Sequence, residues 1–72
     1  MFGKLYNNTT NCLIYEGSFS QFLYNGNGTL YNENDNNIRY IGNFYNGMFE
    51  GYGKLYYSNT TRLKYEGTFW KN

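Results

Sequence analysis

The chain has 72 residues, 24% of them aromatic, with 6 basic and 5 acidic side chains and a formal net charge of +1. That length allows one small domain at most, and a globule of this size buries only ~60% of its unfolded surface. The balanced charge offers no basic stripe to nucleic acid, no apolar run is long enough for a transmembrane helix, and "MFGKLYNN" lacks a signal-peptide core.

The first candidate strand is "GKLY" (3–6), followed by the polar connection "NNTTNC". The next is "YEGSF" (15–19), with Leu13 just ahead of its tyrosine. "GNGTLY" (26–31) suits extended backbone with glycine marking its start, and "NENDNN" after it reads as a second connection. "YIGNF" (40–44) then meets Asn46-Gly47, a strong signal for a two-residue hairpin turn. "GYGKLYY" (51–57) and "LKYEGTF" (63–69) complete the series, with "SNTT" between them. In "LKYEGTF", Leu63, Tyr65, Gly67 and Phe69 fall on one face, and Lys64, Glu66 and Thr68 on the other. Apolar residues nowhere recur at helical spacing, so the fold class is all-β: a meander of about six short antiparallel strands.

A repeat organises these elements. Tyr15, Tyr40 and Tyr65 are 25 residues apart, and the same step relates Leu5/Leu30/Leu55, Gly17/Gly42/Gly67 and Phe19/Phe44/Phe69. It divides the single module into a half repeat (1–14), two repeats (15–39 and 40–64) and a second half repeat (65–72). Glycine inside a strand costs ~0.5–1 kcal/mol relative to alanine, so Gly17, Gly42 and Gly67 are expected where a ring must approach the backbone. Gly26/Gly28 and Gly51/Gly53 are expected to do the same, or to bend their strands. Ala, Val, Pro and His are absent, so rings must supply most of the buried apolar area.

"YIGNFYNGMFEGYGKLYY" (40–57) resembles the MORN (membrane occupation and recognition nexus) repeat, roughly Y-x-G-x-[FW]-x-x-G-x-x-x-G-x-G. Tyr40, Gly42, Phe44, Gly47, Gly51 and Gly53 match it. Tyr15, Gly17, Phe19, Gly26 and Gly28 match in the unit before, where Phe22 stands in place of the turn glycine. The resemblance implies a twisted, elongated antiparallel sheet of stacked hairpins with an aromatic-lined groove. It also implies a scaffold role, most often in ciliary or cytoskeletal machinery, with lipid binding attributed to some members.

Catalysis is not expected. Without histidine, only Asp35 and the glutamates are suited to acid–base work, and Glu16 and Glu66 read as solvated charges on the polar strand face. Neither cofactor nor metal ligation is indicated: "GNG" and "GYG" lack the following helix of a phosphate loop. Cys12 is the only cysteine and cannot close an internal disulfide, which fits an intracellular, cytoplasmic setting. The expected activity is therefore protein–protein interaction, with other subunits of an assembly or with a second copy through open strand edges. Phe2, Leu5, Tyr15, Phe19, Tyr40, Phe44, Tyr65, Phe69 and Trp70 are the expected partner-binding residues, set against core packing for most of the rings. The sequence opens on a second half repeat and closes on a first half repeat, with only Lys71 as an edge charge near the C-terminus. Anionic lipid is the weaker alternative partner, for which Arg39, Arg62 and Lys64 would have to gather on one side.

Overall fold

The computed structural model describes residues 1–70, so the expected Lys71 edge charge lies outside the described residues. Six strands follow one another: β1 (Phe2–Tyr6), β2 (Leu13–Ser20), β3 (Leu23–Tyr31), β4 (Ile38–Tyr45), β5 (Met48–Tyr56) and β6 (Leu63–Phe69). They form one antiparallel sheet in the order β1-β2-β3-β4-β5-β6, within a slab of 33 × 31 × 15 Å. The expected meander is present.

Two kinds of connection alternate, at opposite ends of the strands. Gln21-Phe22 and Asn46-Gly47 are tight hairpin turns with positive φ at both residues, at 52° and 70°, then 50° and 83°. The wider loops span residues 7–12, 32–37 and 57–62. Each is closed by a backbone hydrogen bond across its ends: Asn7 N to Cys12 O, Asn32 N to Asn37 O, and Tyr57 N to Arg62 O. Thr10, Asp35 and Thr60, at equivalent places, each accept a hydrogen bond from the amide two residues on. Their side chains stand in for turn partners that the backbone lacks. This is why the connections tolerate so polar a composition.

Strand register places glycine across from glycine through the whole sheet. Gly3, Gly17, Gly28, Gly42, Gly53 and Gly67 form one transverse row, one from each strand. A parallel row on the same face runs Leu5, Tyr15, Leu30, Tyr40, Leu55, Tyr65. Each tyrosine folds down over the glycines: Tyr15 Oη donates to Ser18 O at 2.8 Å, and Tyr40 Oη to Asn43 O at 2.8 Å. A Cβ on Gly28 or Gly53 would overlap those hydroxyls and ring edges. The expectation that glycine clears room for rings therefore holds here.

The register slips once in each hairpin, between Gly17 and Phe19 in β2 and between Gly42 and Phe44 in β4. The extra residues lie in β3 and β5, where Gly26 and Gly51 take φ of 93° and 81°. Beyond the slip, Tyr24 comes to stack on Tyr15 at 3.9 Å between ring centroids, and Phe49 on Tyr40 at 4.0 Å. Edge-to-face contacts then link the units in a zigzag of Phe19, Tyr15, Phe44, Tyr40, Phe69 and Tyr65, with centroids 4.9–5.3 Å apart. Such pairs add ~0.5–1.5 kcal/mol each beyond area burial. Tyr15, Tyr40, Phe44 and Phe69 are the buried core.

Candidate interaction surface

Burial divides the expected partner-binding residues into two groups. Tyr15 and Tyr40 are 0% exposed, and Phe44 and Phe69 are buried with them. These four are committed to ring contacts inside the chain and offer no surface to a partner, which removes them from the candidate site. Phe19 is half-buried beneath Tyr15. Phe2, Leu5, Tyr65 and Trp70 are exposed.

Tyr65 shows why the same motif does not give the same environment. Its hydroxyl donates to Thr68 O at 2.9 Å, as its counterparts do, and its ring meets Phe69 edge-on. Among the described residues it has neither a stacked ring nor a second edge-on phenylalanine, and it is 45% exposed. Burial of a repeat tyrosine comes from the stacked ring on the strand after it and from the phenylalanine of the following unit, not from its own phrase.

An apolar patch that the sequence reading missed lies at the β2–β3 turn. Phe22 is 100% exposed at the tip, beside exposed Leu23 and Leu5. These residues, with Phe19, Tyr24 and Gly47, line an open groove of about 510 Å³. The neighbouring turn braces it: Gly47 N donates to Tyr24 O at 2.9 Å and Asn46 N to Asn25 Oδ1 at 3.2 Å. Phe22 takes φ of 70°, a left-handed conformation that strains a bulky side chain by roughly 1–2 kcal/mol. The one sequence signal for this patch was the phenylalanine standing where the repeat pattern has glycine.

The opposite end of the sheet is polar. Asn7 Nδ2 donates to Glu33 Oε1 at 3.0 Å, tying the first wide loop to the second. Arg62 and Lys64 each approach the Tyr57 ring at 5.7 Å, and Arg39 and Lys64 flank the same shallow surface. The expected gathering of Arg39, Arg62 and Lys64 is thus present, but it sits across the length of the strands from Phe22.

The perturbed titrating groups are tyrosines. Burial, with a smaller contribution from Tyr24, pushes the Tyr15 phenol up to about 12. Burial also raises Tyr24, with Glu33 adding to it, and raises Tyr40 against the opposing effect of the Asn43 hydrogen bond. Tyr52 is raised first by its hydrogen bond to the Glu66 carboxylate. All four shifts move the phenols away from neutral pH and from acid–base use there. Among the described residues no group of three or more acidic, cysteine or histidine side chains is placed to hold a metal ion.

A family model for the MORN repeat matches residues 15–36 and 40–62. No curated protein matches the chain, and no solved structure does.

Proposed function

Since the chain belongs to the MORN repeat family, we propose that it is a non-enzymatic scaffold or adaptor module that docks other proteins within a larger cytoplasmic assembly, of ciliary or cytoskeletal kind. Family membership suggests a repeat-based module that binds protein or membrane. The observation that carries the protein reading is Phe22. It is held in a backbone conformation that glycine adopts at no steric cost, and none of its surface is buried in return. Strain kept without packing inside the chain points to a contact outside it. An exposed aromatic anchor beside an apolar groove is how protein interfaces concentrate binding energy. The groove falls in the ~300–1,000 Å³ range of small-ligand pockets but is open and lined by apolar side chains, which suits a partner's apolar anchor better than a polar metabolite.

Anionic lipid is the less favoured partner. A membrane-inserting tip needs cations beside it, at ~1 kcal/mol each, and Arg39, Arg62 and Lys64 lie at the far end of the strands. The test is the stability of Phe22→Gly, measured by denaturant unfolding beside co-sedimentation with anionic vesicles. Phe22→Gly is expected to stabilise the chain by about 1 kcal/mol, and the parent chain is expected to stay unbound to vesicles. A destabilised Phe22→Gly would give the side chain a packing role and remove the reason to look outward. Salt-sensitive vesicle binding would transfer the proposal to lipid.

A further inference from the structure

The two outermost strands carry complementary halves of one pairing. Inside the chain, a glycine–leucine strand always lies across from a tyrosine–glycine strand in the same register. Gly28 and Leu30 of β3 face Gly17 and Tyr15, and Gly53 and Leu55 of β5 face Gly42 and Tyr40. β1 is a strand of the first type, with Gly3 and Leu5, and β6 is of the second, with Gly67 and Tyr65. Among the described residues the outer edges of both are unoccupied by a strand.

The space beside Gly67 reflects this. A Cβ on Gly42 would meet the Gly53 backbone, whereas the atoms nearest a Cβ on Gly67 are those of the Tyr65 side chain. Charge agrees with register on the other face of the sheet. Lys4 stands across from Glu16, with Nζ 4.0 Å from the carboxylate, and Lys54 stands across from Glu66. With Gly67 opposite Gly3 of a second copy, Glu66 falls opposite that copy's Lys4. The face then reads Lys54, Glu66, Lys4, Glu16 without a break in alternation. Exposed Tyr65 and Leu5 become cross-strand neighbours on the ring face, as Tyr40 and Leu55 are within the chain.

We propose that β6 of one copy pairs with β1 of a second, antiparallel and in the Gly67–Gly3 register, so that the sheet continues head to tail from copy to copy. Pairing two copies of β1 about Lys4 is disfavoured because it sets that lysine against its own counterpart. The contact is heterologous and does not close on itself, so it builds chains of copies and not a two-fold dimer. This goes beyond the hairpin-tip reading and does not depend on Phe22, so either can fail alone.

The experiment is sedimentation velocity of the full chain across a concentration series, with Lys4→Glu and Glu66→Lys examined singly and mixed. The parent chain is expected to sediment faster as concentration rises, with no plateau at dimer. Each single variant sets like charges across the interface and is expected to weaken association roughly fivefold to tenfold. An equimolar mixture restores opposite charges at both junctions and is expected to return to within about twofold of the parent. Circular dichroism confirms that each variant keeps the sheet. A parent chain that stays monomeric throughout overturns the proposal, as does a mixture no stronger than its components. Association that survives both charge variants but is lost in Phe22→Gly also overturns it, by placing the second copy on the hairpin tip.

Discussion

Gly42→Ala is expected to destabilise the chain by about 4 kcal/mol or more, and Gly67→Ala by roughly 1–3 kcal/mol. Both glycines occupy the same column of the repeat, and both hold φ near 155°, a backbone conformation that strains any side chain. What differs is the neighbour. A Cβ at Gly42 would lie 2.5 Å from Gly53 Cα and 2.5 Å from Tyr52 O, about 1 Å inside ordinary contact. Those are backbone atoms of the adjoining strand, so no side-chain rotation relieves the overlap. The strands must part, and the hydrogen bonds of β4 to β5 go with them. At Gly67 the nearest atoms are the Tyr65 hydroxyl, at 2.9 Å, and its ring edge, on a half-exposed side chain that is free to shift, which leaves the backbone strain as the main cost. Chemical unfolding of the two variants side by side measures the difference. Equal losses would mean that the glycine row serves backbone conformation and not close approach.

Tyr40→Ala is expected to cost ~3–5 kcal/mol, and Tyr65→Ala about 1 kcal/mol. At roughly 0.05–0.15 kcal/mol per residue, a chain of 72 residues holds about 4–11 kcal/mol in total. Loss of Tyr40 therefore consumes most of that margin. Its ring touches Phe44, Phe49 and Phe69, and its hydroxyl satisfies the Asn43 carbonyl. Removing it opens a cavity at the junction of two units. Tyr65 makes the same hydrogen bond to its own strand but touches one ring. Thermal unfolding followed by near-ultraviolet circular dichroism separates the two variants, because ring packing contributes the signal. A Tyr40→Ala variant as stable as Tyr65→Ala would mean that the zigzag of rings is not the source of stability.

Much of the fold was legible because the 25-residue step repeats a mechanical unit. Tyr40 and Gly53 recur together since the glycine must clear space for the ring, and Asn46-Gly47 announces its turn by residue type alone. The alternation of Leu63, Tyr65, Gly67 and Phe69 likewise gave the ring face. Three features were hidden, each for a physical reason. Gly26 and Gly51 read in the sequence as glycines able to bend their strands, but the register slip there depends on how two strands meet, which one strand's pattern does not record. The stacking of Tyr24 on Tyr15 follows from that slip. The exposure of Tyr65 beside the burial of Tyr40 is set by rings on other strands, Phe49 and Phe69 for Tyr40, so identical phrases read alike in sequence and differ in space. Tyr15, Tyr40, Phe44 and Phe69 are open to both binding and core packing in the sequence, and burial assigns them to the core. Phe22 carried the opposite lesson, since a departure from the repeat pattern marked the most exposed ring in the described structure.

Two of the three repeat tyrosines, Tyr15 and Tyr40, are sealed inside the sheet, which leaves binding to the rim. Titrating the tyrosines of the full chain with alkali, resolved by residue through nuclear magnetic resonance, tests it most directly. Below pH 10 the folded and unfolded chains both keep the Tyr15 proton, and the buried phenol adds no pH dependence. Above pH 10 the unfolded chain releases that proton, while the folded chain holds it until about pH 12. The unfolded state thus binds fewer protons, and stability is lost as pH rises through that window. Tyr24 and Tyr40, whose phenols are also raised, act in the same direction. The expected result is a Tyr15 proton retained well above pH 10, with any loss of it coinciding with unfolding. A Tyr15 that titrates near pH 10 in a chain that stays folded would mean that its phenol is not sealed, and would return the rings to the binding surface.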